Sequence, residues 1–139
     1  MHRAIYAARA DVGAVVHTHS LQATVLACTG RAIPAVHYLV GMLGGAVPLV
    51  PYRPYGTEEL AEAVASELAG GYHACLLANH GAVAVGTDLP QAYQRAQLVE
   101  WLAALYVGTL QLGGPILLSA EDMARVSHRL ARYGQPRDT

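Results

Sequence analysis

The chain has 139 residues, of which 53% are hydrophobic and 14% charged, and a formal net charge of −1. That length suffices for one domain with a real core and is too short for two, and the apolar fraction excludes a disordered or fibrous chain. No apolar run reaches the length of a membrane span, no apolar leader follows Met1, and the nine cationic residues are scattered. Neither a membrane nor a nucleic acid is therefore expected as a partner, and the expected compartment is the cytoplasm.

Every cation is arginine and none is lysine. A Schiff-base lysine is absent from these residues, so carbonyl chemistry here needs a different electrophile. Cys28 and Cys75 both sit inside apolar stretches. They read as small buried hydrophobes, not as a disulfide framework.

Residues 1–9 have helix composition, closed by Asp11 and Gly13, but carry no N-cap and no first-turn acids. The expectation is a helix whose beginning lies upstream of Met1. Next comes an apolar run over 12–19, ending in His17-Thr18-His19. If this run is extended, residues i and i+2 share one face, with Cβ atoms roughly 6.5–7 Å apart. Both rings could then lean toward one ion at about 2.0–2.1 Å. By itself the pair is weak evidence, since two polar residues at the end of a core strand are commonplace.

Ser20 is placed to cap a helix over 21–29, with Gly30 at its C′ position. Residues 32–40 read as extended, with Pro34 near the start, followed by a flexible loop through Gly41, Gly44 and Gly45. A short strand is expected over 47–52. Thr57 should cap a helix to about Leu68, with Glu58 and Glu59 complementing its positive end. Residues 73–78 form a second buried strand, Asn79-His80-Gly81 a tight turn, and 82–86 a third strand. Asp88 caps the longest helix, about 89–110, with Pro90 in its first turn. Its apolar stripe reads as Leu98, Leu102, Leu105 and Tyr106, with Trp101 beside it. A last helix is expected from Ser119 to Tyr133, stopping near Gly134. Strands alternating with helices argue an α/β or α+β layer fold, and the hairpin excludes a purely parallel sheet.

His80 stands where a buried strand meets a turn, as His17 and His19 do. Three neutral imidazoles from two strand ends would make a zinc site with an open position, the alternative being a merely polar hairpin tip. Of the other histidines, His2 and His128 read as surface residues, His73 as the start of a strand, and His37 as a satisfied core residue or a support to the ligands.

Four motifs together resemble the class II aldolase/adducin family. They are Ala14-Val15-Val16-His17-Thr18-His19-Ser20, Ala32-Ile33-Pro34-Ala35-Val36-His37-Tyr38, Tyr55-Gly56-Thr57 and Leu76-Leu77-Ala78-Asn79-His80-Gly81, in family order over nearly all of the chain. The resemblance implies a three-layer α/β/α domain over 1–139 with a mostly antiparallel central sheet, assembled as a homotetramer with shared active sites. It implies zinc held by His17, His19 and His80, Tyr38 as proton donor or acceptor at the substrate aldehyde oxygen, and Tyr55 in the wall around the aldehyde part.

The implied activity is zinc-dependent aldol cleavage of a ketose 1-phosphate, L-fuculose 1-phosphate going to dihydroxyacetone phosphate and L-lactaldehyde. The same resemblance places the family's acid/base glutamate and phosphate-binding loops ahead of Met1. It leaves two rivals: another sugar-phosphate enzyme on this scaffold, a pentulose-phosphate 4-epimerase or a dehydratase, and a non-enzymatic adducin-like domain, expected to lack the metal histidines.

Overall fold

A computed structural model describes residues 1–130. The elements in chain order are α1 His2–Ala8, β1 Ala14–Thr18, α2 Leu21–Cys28, a 3-10 helix Tyr38–Leu43, β2 Leu49–Val50, α3 Glu58–Ala69, β3 Ala74–Leu77, β4 Gly81–Gly86, α4 Leu89–Gln111 and α5 Ala120–Leu130. The expected end of the last helix, near Tyr133 and Gly134, lies outside the described residues, as does the side chain of His128.

The sheet runs β1-β4-β3-β2. β1 and β3 both pair with β4 antiparallel, and β2 pairs with β3 parallel. β3 and β4 are buried along their whole length on both faces. Alternation sorts their residues into two cores. Ala74, Leu76, Ala82 and Ala84 pack with α2 and α4, whereas Cys75, Leu77, Val83 and Val85 pack with Ile5 of α1 and Leu60, Val64 and Leu68 of α3. Helices therefore cover both faces, and the three-layer arrangement with a mostly antiparallel sheet is as expected.

The residues facing α4 are small, and α4 meets them with Ala92, Ala96, Val99, Leu102 and Ala103, all buried. The stripe of large residues expected on α4 is thus corrected: Leu102 lies at its centre, Leu98 and Tyr106 pack at the margin, and alanines make the close contact. Gly86 shows how near the helix comes, since a Cβ there would sit 2.6 Å from the backbone nitrogen of Ala92.

Local capping follows the sequence in most places. Thr57 Oγ1 accepts from Leu60 N–H, Asp88 from Gln91 N–H, and Ser119 Oγ from Asp122 N–H. Gly30 follows α2 in the left-handed conformation at φ 68°. Asn79, at φ 55°, takes the positive φ that the β3–β4 turn demands.

Other expectations fail. Residues 32–40 are not a strand. Only Ile33 bridges, to Val47, and from Tyr38 the chain winds into the 3-10 helix. Val40 and Leu43, three apart, are both fully buried, so tertiary burial at the 3-10 period overrides local β propensity. The strand expected over 47–52 shrinks to two residues, because Pro48 and Pro51 flank it and offer no N–H. Cys28 is exposed, since α2 turns Ala23, Leu26 and Ala27 inward and leaves the next position facing out. Cys75 is buried as expected, and burial pushes its thiol pKa up to about 12.

One side chain binds the α1/α3 side together. The Arg9 guanidinium donates to the carbonyls of Leu68 and Tyr72 at 2.7 and 3.2 Å and forks onto Asp11 at 2.7 and 2.6 Å. Arg9→Ala removes both of these bonds, and the Leu68 carbonyl keeps only its backbone donor, Gly71 N–H. A urea denaturation curve should show a loss of about 2 kcal/mol.

Candidate metal centre

β1 runs antiparallel to β4, so the C-terminal end of β1 lies beside the N-terminal end of β4. In the register, His17 faces Val83 and Thr18 faces Ala82. The β3–β4 turn carries His80 immediately before β4. Two stretches 60 residues apart thus bring their imidazoles to one end of the sheet. The ring centroids of His17 and His19 lie 4.9 Å apart, those of His17 and His80 4.9 Å, and those of His19 and His80 5.0 Å, the rings set edge to face.

The nitrogens converge as the rings do. One ligand atom from each of the three residues falls within 4.8 Å of the others. His17 Nε2 and His19 Nε2 are 3.1 Å apart. Two ligands at 2.0–2.1 Å on a tetrahedral ion would be about 3.3 Å apart, so this pair is already close to ligand spacing. His17 Nδ1 lies 2.9 Å from the carbonyl oxygen of Ala82. A carbonyl only accepts, so Nδ1 carries the proton and Nε2 presents its lone pair toward the centre.

Electrostatics favours the neutral rings that a metal requires. Burial holds the pKa of His17 below the usual histidine value; the Ala82 carbonyl opposes this, and the nearby His19 and His2 add to it. Burial also lowers His80, again with help from its two neighbours in the cluster. The donor set, spacing and protonation therefore fit one divalent cation, with His17 and His80 half-buried and His19 at the solvent side.

Gly81 makes this convergence possible. A Cβ there would lie 2.8 Å from His19 Cδ2 and overlap the Thr18 carbonyl oxygen. The sequence marked Gly81 only as a turn residue; the close approach of β1 is visible only in the fold.

Two tethers hold the ligand-bearing loops. Ser20 occupies the N-cap position of α2, but its side chain makes no capping bond. Glu100 of α4 does that work, accepting from Gln22 N–H and Ala23 N–H at 2.9 Å each. At the other end of α2 the Ala27 carbonyl accepts from Asn79 N–H at 3.2 Å, in the turn that carries His80. In the sequence Glu100 is one acid within a long helix, and its partners lie 77 and 78 positions away.

The remaining candidates lie elsewhere. Tyr38 opens the 3-10 helix, 47% exposed, its ring 4.5 Å from that of His37. Tyr55 is 86% exposed in the turn before α3. The rings packed against each of the three imidazoles are the other two imidazoles, not either tyrosine. His37 is satisfied locally: Nδ1 accepts from Leu39 N–H, and the ring packs against Trp101. His2 is exposed, as expected, while His73 precedes β3 with Nδ1 buried and unpartnered.

A cluster of three histidines at one end of a mostly antiparallel sheet covered by helices defines an α/β protein with a candidate metal site. Residues 1–107 match the family model described as class II aldolase and adducin N-terminal domain. The chain is 46% identical over 134 residues to a 5-methylthioribulose-1-phosphate/5-deoxyribulose-1-phosphate aldolase of Rhodospirillum rubrum, covering 96% of this chain and 60% of that protein. It is 41% identical over 135 residues to the L-fuculose phosphate aldolase of Escherichia coli, covering 96% and 62%. The solved structure of an L-fuculose 1-phosphate aldolase superposes with a TM-score of 0.89 at 36% identity, over 94% of this chain and 61% of that one.

The chain belongs to the class II aldolase/adducin family. It spans 60 and 62% of the length of these two curated relatives. Among the described residues no helix is long and apolar enough to cross a membrane.

Two outcomes follow from this geometry. Gly81→Ala forces the end of β1 away from the turn. Zinc affinity, read by competition with a chelating dye, should fall at least about tenfold, with about 1–3 kcal/mol of stability lost.

The second concerns pH. Folding holds His17, His73 and His80 below their ordinary value of 6.5. The unfolded chain therefore takes up protons first as the solution is acidified. Stability of the metal-free protein is fully present above about 6.5 and is lost below it. Urea midpoints at about pH 7.5 and about pH 5.5 should fall in that order, and zinc affinity should fall with them.

Proposed function

We propose that this chain carries the metal centre of a zinc-dependent aldolase that cleaves a ketose 1-phosphate to dihydroxyacetone phosphate and an aldehyde. The observation carrying the proposal is the convergence of His17, His19 and His80, with ligand atoms within 4.8 Å of one another. Family membership supports it, as does the lack of lysine in these residues, which leaves no amine for an imine.

The three imidazoles would hold the zinc, with His17 fixed in its tautomer by the Ala82 carbonyl. Bound there, zinc would supply a Lewis acid that polarises the substrate's carbonyl and stabilises the negative charge left on the phosphate-bearing fragment when the C–C bond breaks. Burial lowers the pKa of His17 and His80, which favours the neutral rings that would face the ion. In this reading Tyr38 gives or takes the proton at the aldehyde oxygen, across the boundary with a second subunit of a homotetramer. Tyr55 contributes to the wall around the aldehyde end. Their exposure, 47 and 86%, leaves both free to face a ligand or a neighbouring chain.

The substrate is proposed to be L-fuculose 1-phosphate, with L-lactaldehyde as the second product. The relative of highest identity quoted above acts by its name on 5-deoxy- and 5-methylthio-pentulose phosphates, which makes a 5-deoxypentulose 1-phosphate a second reading. Both substrates release dihydroxyacetone phosphate, and the aldehyde formed distinguishes them: three carbons in the first case, two from the 5-deoxypentulose. An epimerase would release neither. An adducin-like structural role would leave the chain without stoichiometric zinc.

The test is zinc content together with dihydroxyacetone phosphate release on the purified protein. His17→Ala should lose metal and activity together. Tyr38→Phe should keep its zinc while turnover drops about 10²–10⁴-fold. Unchanged metal content in His17→Ala would overturn the ligand assignment.

A further inference from the structure

Glu100 stands outside the three ligands, yet it holds the segment that joins them. Helix α2 begins two residues after His19, and its first turn has N–H groups with no partner inside the helix. The hydroxyl of Ser20, the residue placed to satisfy them, makes no such bond. Both oxygens of Glu100 accept there instead, from Gln22 and Ala23 at 2.9 Å. A carboxylate at a helix N-terminus meets the positive end of the helix dipole, which strengthens both bonds. The far end of α2 takes the Asn79 N–H on Ala27, one residue before His80. One short helix thus links the His19 turn to the His80 turn; its inner face packs in the core and its N-terminus is held by the Glu100 carboxylate of α4.

We propose that Glu100 is a positioning residue for the metal centre, setting the place of α2 and through it the approach of His19 and His80 to a shared ion. The proposal rests on the reading that the three histidines hold zinc. Glu100 touches no ligand atom; it acts through the backbone that carries the ligands. Because α4 lies against the small face of Ala82 and Ala84, the anchor is referred to the same strand that positions His17.

The experiment measures zinc affinity by dye competition and the visible spectrum of the cobalt-substituted protein, in wild type, Glu100→Ala, Glu100→Gln and Arg9→Ala. Arg9→Ala is the control for lost stability without contact with the centre. Glu100→Ala should weaken zinc about tenfold, the lower end of what supports to ligands contribute. Glu100→Gln, with one acceptor oxygen left, should fall between it and wild type. Both Glu100 variants should weaken the cobalt bands as ligation by His19 loosens.

Arg9→Ala should match wild type in both measurements. In a His19→Ala background, Glu100→Ala should cost less than in wild type, because part of its route is already gone. The proposal is overturned if the folded Glu100 variants bind zinc like wild type with an unchanged cobalt spectrum, or lose no more than Arg9→Ala. Where Glu100→Ala does not fold, the nearly isosteric Glu100→Gln carries the comparison. Wild-type protein that binds neither zinc nor cobalt would instead bring down the metal reading itself.

Discussion

The antiparallel pairing of β1 with β4 is the constraint on which the rest of the structure depends. Antiparallel neighbours place the end of one strand beside the start of the other. The strand that ends in His17-Thr18-His19 therefore meets the strand that starts just after His80. The register is held because β3 and β4 are buried on both faces. A slip of one residue would turn His17 to the opposite face and exchange the valine and alanine sides of the sheet. The core thus enforces a geometry that polar residues at a sheet end could not hold unaided.

Small side chains then decide how closely the layers approach. Gly81 lets the β1 backbone and the His19 ring come against the turn, and Ala82, Ala84 and Gly86 let α4 lie tight on the sheet. With α4 at that depth, Glu100 reaches the start of α2, and α2 in turn connects the two ligand-bearing loops. Volume in the core and position in the site are therefore one problem. Dense interiors transmit displacement, so a methyl group at Gly81 or Gly86 would be felt at the imidazoles.

Much of this was legible in the chain where the governing interaction is local. Thr57, Asp88 and Ser119 cap their helices through bonds to residues three positions on. Asn79 and Gly81 mark the hairpin, and the three histidines stand at strand ends. Ser20 misled because a cap can be supplied from a distance, here by Glu100. Residues 32–40 misled because β-branched and aromatic residues near a proline resemble a strand, until Val40 and Leu43 must both be buried. Cys28 misled because apolar neighbours along the chain do not reveal which side of a short helix faces the core.

The sequence by itself determined the elements, most of their ends and the identity of the three imidazoles, since these depend on contacts within a few residues and on side-chain chemistry. It could show that a metal was chemically possible. Only the tertiary structure decided that the three rings meet, that His17 is locked to the Ala82 carbonyl, and that Glu100 anchors α2. Those facts join residues some 60 to 80 positions apart, and the relative placement of such segments is set by sheet register and layer spacing, which no local pattern encodes.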